Sequence, residues 1–193
     1  MEYINLFLYI CIKYIIEMKK IIAFAGSNSK NSINKQLAEY AANQISNVEV
    51  EVLDLNDFEL PLYGIDLENE HGIPDNAYAF LDKIKMSDGI VLSLAEHNGA
   101  YSASFKNIFD WMSRIDGKLW NNKPMLLMAT SPGGRGGASV LEIAKGRFPY
   151  MGGNIVADFS LPLFNDNFSE KGIKDLERAQ QLDEAVTKLE NKL

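Results

Sequence analysis

Residues 20–34 read KIIAFAGSNSKNSIN, and this stretch decides the fold. An apolar run over 21–25 predicts a buried strand, and Gly26 ends it. The segment after Ser32 predicts an amphipathic helix, because apolar side chains recur every four residues: Ile33, Leu37, Ala41 and Ile45. A strand followed by a short polar loop and such a helix is the opening unit of a parallel sheet covered by helices.

The same alternation of strand and helix continues along the chain. Runs of apolar and β-branched residues predict five strands: Lys20–Gly26, Val48–Leu55, Gly89–Leu94, Pro124–Ser131 and Asn154–Leu161. The third and fourth are almost continuously apolar, which is typical of central strands buried on both faces. Between the strands, and again from 176 to 189, apolar residues recur at helical spacing. The pattern predicts one α/β domain over residues 18–193, with helices on both faces of the sheet.

Composition narrows the possible functions. The 193 residues include 19 Lys and Arg against 26 Asp and Glu, a net charge of −7, which disfavours binding to nucleic acid. Cys11 is the single cysteine, and His71 and His97 are the two histidines, so an intrachain disulfide is excluded and we expect no metal site. This cysteine usage predicts a protein of the reducing cytoplasm.

The first seventeen residues, MEYINLFLYICIKYIIE, differ from the rest of the chain, since thirteen of them are apolar. Lys13 interrupts the stretch, which is also shorter than the roughly 20 apolar residues of a membrane span, and its flanks do not match a secretory signal. We expect this extension to lie outside the fold, as translated upstream sequence ahead of a start at Met18. A short amphipathic or interaction helix is the alternative.

The longest segment without a clear pattern is 56–76, NDFELPLYGIDLENEHGIPDN, which is acidic and holds two prolines and two glycines. Its position after the second strand places it near the carboxyl edge of the sheet, and loops of this length are often functional. We expect an irregular lid that closes over a ligand, with Tyr63 as a candidate substrate contact.

The loop after the first strand has the chemistry of a phosphate site. Open parallel sheets bind ligands outside the carboxyl ends of their strands, and Gly26–Asn34 lies there. It offers backbone N–H groups, serine hydroxyls and asparagine amides at a helix N-terminus, which together suit a phosphate. It is neither a Walker loop nor a GxGxxG turn, because Gly26 is its only glycine. Ordinary helix capping by Asn31 or Ser32 is the alternative.

The loop after the third strand, AEHNGAYS at 95–102, is suited to contact a flat heterocycle. Asn98 and Gly99 permit the positive φ angles of a tight turn, which would expose backbone groups to the edge of a ring. His97 would lie against that ring, and a plain strand-to-helix turn is the alternative. In the following helix we expect core aromatics and a surface ion pair, namely Phe105, Phe109 and Trp111, with Lys106 and Asp110 as the pair.

The loop after the fourth strand, SPGGRGGAS at 131–139, has four glycines among residues 133–137. Such a backbone can approach a ligand closely, and Arg135 would supply positive charge to a pyridine nucleotide. A merely flexible loop is the alternative.

These three loops resemble those of the NADPH-dependent FMN reductase family of flavodoxin-like proteins, which includes quinone, chromate and azo-dye reductases. The motifs are GSxxxxSxN at 26–34, a relative of PEYNGS at 95–100 followed by KNxxDW at 106–111, and the glycine-rich loop at 133–137. The resemblance covers nearly all of 18–193. It implies a flavodoxin-like three-layer sandwich whose five-stranded parallel sheet has the order 2-1-3-4-5.

The resemblance also implies FMN as bound cofactor and NADPH or NADH as co-substrate. The positions that it assigns to FMN are Ser27, Asn28, Ser32, Ile33, Asn34, Ala95, Glu96, His97, Asn98, Gly99, Ser131, Gly133 and Gly134. Arg135 and Tyr63 are candidate substrate contacts. The chemistry would occur at N5 of FMN, so no side chain is assigned as acid, base or nucleophile. The expected acceptor is a quinone, an azo compound or free flavin, and the expected assembly is a homodimer or homotetramer.

The sequence departs from the family pattern at three positions. Ser29 stands where many members have a phosphate-binding arginine, and Ala95 and His97 replace the proline and tyrosine of PEYN. Two other functions therefore stay open: a flavodoxin-type FMN electron carrier served by a protein partner, and a binding or adaptor domain that has lost flavin.

Overall fold

A five-stranded parallel sheet forms the centre of the computed structural model, which describes residues 18–193. The expectation that residues 1–17 lie outside the fold concerns residues that the structure does not describe. In chain order the strands are β1 (Lys19–Gly26), β2 (Val48–Leu53), β3 (Gly89–Leu94), β4 (Glu96–His97), β5 (Ala100–Tyr101), β6 (Pro124–Thr130), β7 (Asn154–Leu161), β8 (Phe168–Ser169) and β9 (Gly172–Ile173). The main sheet has the order β2-β1-β3-β6-β7, which confirms the expected order 2-1-3-4-5. The four short strands form two separate antiparallel pairs.

Seven helices surround the sheet within residues 18–193. They are α1 (Ile33–Ala42), α2 (Ile65–His71), α3 (Asp75–Met86), α4 (Ala103–Ile115), α5 (Ala138–Arg147), α6 (Phe164–Asn167) and α7 (Leu176–Glu190). Two short 3₁₀ turns cover Leu55–Asp57 and Phe148–Met151. β2 ends two residues earlier than expected, because the Asp54 side chain accepts a hydrogen bond from the backbone of Asn56 and begins the first of these turns.

Alternating side chains of the sheet build two hydrophobic cores. Ile22 and Phe24 of β1 point to one face, where α3, α4 and α5 pack, and Ile21 and Ala23 point to the other, where α1 and α7 pack. Every residue of β3 is buried, as its continuously apolar sequence predicts. The two cores confirm the three-layer architecture and fix the carboxyl ends of β1, β3 and β6 beside one another.

The segment 56–76 is more ordered than expected. It contains α2, which begins after Gly64 and ends at Gly72, whose φ of 77° lies in the left-handed region. The expectation of an irregular segment is therefore wrong for 65–71. Within residues 18–193, no helix is long and apolar enough to cross a membrane.

Candidate functional site

Three loops meet at the carboxyl ends of β1, β3 and β6 and enclose a recess of about 190 Å³, here called the edge recess. Its lining residues come from all three loops: Ser27, Ser29, Asn31, Ser32, Ile33 and Asn34, then Ala95, Glu96 and His97, then Thr130, Ser131 and Pro132. Most of the residues predicted to bind a cofactor are thus brought together. Asn28 instead lines a neighbouring pocket, and the lining does not include the predicted residues Asn98, Gly99, Gly133, Gly134, Arg135 and Tyr63.

Loop 1, the segment 27–32 before α1, combines helix capping with free hydrogen-bond donors. Ser32 caps α1, since its Oγ accepts from the backbone N of Lys35 at 3.2 Å. The loop is tightened by Ser29, whose N–H donates to Ser27 Oγ at 3.2 Å. The backbone N–H groups of Ile33 and Asn34 have no partner within residues 18–193. Capping and anion binding are therefore compatible, because capping uses only the Lys35 N–H of the first helical turn.

The side chain of Asn34 is committed to the protein itself. It is 3% exposed, and its Nδ2 donates to the carbonyl of Thr130 at 3.1 Å. Its Oδ1 accepts from Thr130 N at 2.9 Å and from Ser93 Oγ at 2.7 Å. A phosphate contact through this amide, as expected from the motif, would require breaking these bonds. Asn34 therefore holds the edge recess in shape and offers a ligand its backbone N–H.

Loop 3, the segment 95–102, forms a β-hairpin above the recess. Glu96 pairs with Tyr101 and His97 with Ala100, and the turn residues Asn98 and Gly99 have φ angles of 53° and 77°. The predicted positive-φ turn is confirmed, and this Asn-Gly geometry matches a two-residue hairpin turn.

Two side chains at this hairpin differ in their freedom to bind a ligand. Glu96 Oε2 accepts from the backbone N of Val140 at 3.0 Å, so the carboxylate fixes loop 3 to the start of α5. His97 is exposed on the recess lining, and its imidazole has no hydrogen bond within the described chain.

A serine that the sequence reasoning missed links loops 1 and 3. Ser102 is buried, caps α4 by accepting from Phe105 N, and donates from Oγ to the carbonyl of Gly26 at 2.8 Å. β1 and α4 approach so closely here that a Cβ on Gly26 would lie 3.2 Å from Cγ of Phe105. The serine before a predicted helix was a readable capping signal. Its bond to Gly26 could not be predicted from the sequence, and neither could the roles of Ser93 and Thr130.

Loop 4, the segment 131–137, is anchored rather than merely flexible. The Gly133 carbonyl accepts from the N–H groups of Gly136 and Leu163 at 3.2 and 3.1 Å. Gly136 has a φ of 58°, and its own carbonyl accepts from Ser160 Oγ at 3.0 Å. Arg135 is exposed and donates to Ser139 Oγ at 3.1 Å, so its guanidinium keeps further donors for a ligand.

The KNxxDW motif on α4 fastens the segment before α2. Asn107 accepts from Tyr63 N at 2.8 Å and donates to the Pro61 carbonyl at 3.0 Å, and Trp111 Nε1 donates to that same carbonyl at 2.8 Å. The Tyr63 ring packs edge-on against Trp111, and its hydroxyl donates to Glu68. The segment is thus fixed to α4. Trp111 is buried and Lys106 pairs with Asp110 at 2.6 Å, as predicted.

A parallel sheet of this order, with three polar loops converging at one edge, defines a flavodoxin-like α/β protein. A family model described as NADPH-dependent FMN reductase matches residues 19–167. The chain belongs to that family.

The individual relatives agree with this assignment. The quinone reductase of Escherichia coli K12 is 32% identical over 123 residues, which span 63% of this chain and 65% of the relative. A 2-hydroxy-1,4-benzoquinone reductase from a Burkholderia species is 33% identical over 134 residues, 68% of this chain and 71% of the relative. Among solved structures, the flavoenzyme NAD(P)H:(acceptor) oxidoreductase of Paracoccus denitrificans superposes with a TM-score of 0.68 at 26% identity, covering 91% of this chain and 99% of that one.

The residues of the edge recess fit the phosphate end of FMN. Unpartnered N–H groups of Ile33 and Asn34 and the hydroxyls of Ser27 and Ser32 are suitable donors for an anion. Glu96 is the one acidic residue in the lining, and its bond to Val140 N draws the carboxylate toward α5. The absence of an arginine at 29 removes one charged contact but leaves these donors in place.

Proposed function

We propose that this protein is an FMN-dependent oxidoreductase that takes hydride from NADH or NADPH and delivers electrons to a small acceptor such as a quinone, an azo compound or free flavin. The observation that carries the proposal is the convergence of loops 1, 3 and 4 on the edge recess, in a chain of this family. The relatives named as quinone reductases support a quinone as the first acceptor to test.

The residues of the chain bind and orient the cofactor. Ser27, Ser32 and the N–H groups of Ile33 and Asn34 would hold the phosphate, and the 95–99 backbone with Ser131, Gly133 and Gly134 would hold the ribityl chain and ring. When bound, FMN supplies the hydride-accepting atom and the two-electron chemistry. The protein contributes rigid hydrogen-bonding loops, since both hairpin and glycine loop are anchored at their bases.

Arg135 is proposed to attract the anionic co-substrate. Arg135 is exposed on loop 4, which also supplies Ser131 and Pro132 to the edge recess, and its bond to Ser139 uses one of five N–H donors. Tyr63 is proposed as a substrate contact, and its bonds to Asn107 and Glu68 also hold the segment before α2.

An anaerobic titration tests the proposal. The protein is loaded with FMN, freed of excess flavin, and mixed with NADH or NADPH while the flavin absorption band is followed. Rapid bleaching, followed by recovery of the band when a benzoquinone is added, is the expected result. Retained flavin that neither nucleotide bleaches would instead indicate an electron carrier served by a protein partner, and failure to retain flavin would refute both flavin functions.

We propose further that the protein is a homodimer or homotetramer of the cytoplasm. Two large apolar side chains near the start of α2 are exposed, Leu62 at 81% and Ile65 at 50%. Large apolar side chains this exposed often mark a contact surface. Sedimentation velocity of the FMN-loaded protein tests the assembly, and a single monomer peak at micromolar concentration would contradict it.

A further inference from the structure

A second pocket of about 530 Å³, here called the lateral pocket, lies on the other side of loop 1. It is bounded by Asn28, by the segment 55–62 after β2, and by the first turns of α4 from Ala103 to Ile108. Its volume is in the range of small-molecule sites. The walls are already fixed, because Asn107 and Trp111 fasten the segment 60–63 to α4.

The lateral pocket lies away from the loops assigned to the flavin ring. No residue of the hairpin 95–101 or of the glycine loop 131–137 belongs to its lining, whereas Asn28 comes from the same loop 1 that supplies Ser27 and Ser29 to the edge recess. An occupant of this pocket is therefore suited to be the distant end of a long ligand whose reacting end lies at the flavin ring.

Few polar side chains in the lateral pocket remain free for a ligand. Asn56 Nδ2 donates to the Asn28 carbonyl at 3.1 Å and to Asp54 at 2.7 Å, and the amide of Asn107 is used by the segment 60–63. Glu59 is exposed, and its carboxylate has no hydrogen bond or ion pair within residues 18–193. Glu59 is therefore the free charged group of the pocket, and the side-chain amide of Asn28, which has no hydrogen bond within residues 18–193, is a free neutral one.

The hydroxyl of Ser104 can act only as a hydrogen-bond acceptor toward the pocket. The Ser102 hydroxyl has one proton, which it gives to the Gly26 carbonyl, so in the 3.0 Å contact between the two serines Ser104 is the donor. The oxygen of Ser104 then presents only lone pairs to the pocket. Both Glu59 and Ser104 accept hydrogen bonds, which suits a ligand rich in hydroxyl or amino donors.

The charge of the lateral pocket disfavours an additional phosphate. Among residues 18–193, Glu59 is the only charged residue in its lining. Two lysines on adjoining helices are already paired, Lys35 with Asp54 at 2.7 Å and Lys106 with Asp110 at 2.6 Å. Lys30 of loop 1 is not part of the lining. A phosphate beside Glu59 would face a like charge without a compensating cation.

We propose that the lateral pocket binds the adenosine half of the nicotinamide dinucleotide, and that Glu59 makes this protein prefer NADH over NADPH. The inference rests on the proposed function, whose co-substrate has a nicotinamide end and an adenosine end. The apolar walls from Phe58, Leu60 and Ile108 suit the adenine ring. The carboxylate of Glu59 suits the 2′-hydroxyl of the ribose, which NADH has and NADPH replaces with a phosphate.

Calorimetric titration of the FMN-loaded protein with 5′-AMP and with adenosine 2′,5′-bisphosphate tests this directly, without turnover. We expect 5′-AMP to bind about tenfold more tightly than the bisphosphate, since like charges oppose each other in the second complex. Glu59→Gln should narrow this ratio and Glu59→Lys should reverse it. Glu70→Gln, on the exposed side of α2, is the matched control and should leave the ratio unchanged.

A pocket-filling variant locates the binding site. Ala103→Phe should abolish 5′-AMP binding while FMN affinity, measured by flavin fluorescence, stays the same, because Ala103 lines the lateral pocket and not the edge recess. Tighter binding of the bisphosphate by the unaltered protein, or a ratio that Glu59→Gln does not change, would overturn the inference. A protein that binds 5′-AMP as expected but whose flavin neither dinucleotide bleaches would refute the proposed function and leave the adenosine site standing.

Discussion

The amide of Asn34 hydrogen-bonds both backbone polar groups of Thr130, a residue 96 positions further along the chain. The ladder between β3 and β6 ends at the pair Leu94 and Ala129, so the next residue of β6 has lost its β3 partner while its side chain and backbone stay buried. The asparagine amide supplies the two hydrogen bonds that a longer β3 would make to this residue. It thereby joins the start of α1, where loop 1 ends, to the end of β6, where loop 4 begins.

Replacement of this amide should weaken both the fold and the site. Asn34→Ala leaves the N–H and carbonyl of Thr130 and the hydroxyl of Ser93 without partners, and unsatisfied buried groups of this kind cost about 2–4 kcal/mol in total. Urea denaturation should show a lower midpoint with an unchanged slope. FMN affinity should also fall, because the loops lose their relative placement.

The control for this prediction is Asn69→Ala, on the exposed surface of α2, which should change stability by less than about 0.5 kcal/mol. Asn34→Asp keeps the acceptor oxygen but loses the Nδ2 donor, so its stability should also fall. If Asn34→Ala were as stable as the unaltered protein, the amide would not be completing the sheet.

The sheet and its order were predictable because they depend on local patterns. Continuous apolar runs identified β3 and β6 as central, and regular apolar spacing located α1 and α7. The Asn98–Gly99 turn was predictable for the same reason, since its chemistry is set by two adjacent residues. The family resemblance supplied the strand order, and the structure confirms it.

What the sequence did not reveal depends on contacts between distant residues. Asn34 was assigned to a phosphate from its motif, whereas its partners Ser93 and Thr130 lie 59 and 96 positions away and carry no local signal. The same is true of Asn107 and Trp111, whose bonds to Pro61 span 46 and 50 positions. Helix α2 was missed because its seven residues are bounded by glycines and none of them is buried, which leaves little amphipathic pattern to read.

Two glycines of loop 4 differ in whether their position requires glycine. Gly136 has a φ of 58°, and a Cβ there would lie 2.8 Å from the backbone N of Pro162. Gly134 has no atom within 4 Å of such a Cβ. Gly136→Ala should therefore destabilise the protein by about 1–3 kcal/mol and lower FMN affinity, because strain and overlap both act there.

Gly134→Ala is the matched control, and its stability should be unchanged or slightly raised. Thermal unfolding of both variants checks the stability difference, and flavin fluorescence titration checks binding. Equal behaviour of the two variants would mean that loop 4 adapts freely, and the anchoring bonds of Gly133 and Gly136 would then have no energetic role.

The bond from Trp111 to Pro61 should control the mobility of the segment before α2. Trp111→Phe removes the Nε1 donor but keeps an aromatic ring, so we expect a loss of about 1 kcal/mol and faster amide hydrogen exchange over 58–64. Lys106→Ala, which removes an exposed ion pair on the same helix, should leave exchange in that segment unchanged. Identical exchange in Trp111→Phe and the unaltered protein would show that Asn107 alone fixes the segment.

Tyr101 should make stability fall at high pH. Its hydroxyl oxygen is buried and has no hydrogen-bond partner among residues 18–193, and its ring stacks on Phe148. Burial raises the pKa of the phenol to about 12 from the ordinary 10.0. Between pH 10 and 12 the unfolded chain therefore loses this proton while the folded protein keeps it. Since the folded state then binds more protons, the contribution of Tyr101 is fully present below pH 10 and is lost as pH rises toward 12.

Tyr101→Phe should remove this part of the pH dependence. At pH 7 the variant should be as stable as the unaltered protein or slightly more stable, because a buried hydroxyl without a partner is removed. From pH 10 to 12 its free energy of unfolding should decline less steeply in urea titrations. Tyr78→Phe, at an exposed position on α3, is the control and should follow the unaltered protein. Parallel curves for Tyr101→Phe and the unaltered protein would show that the phenol is solvated in the folded state.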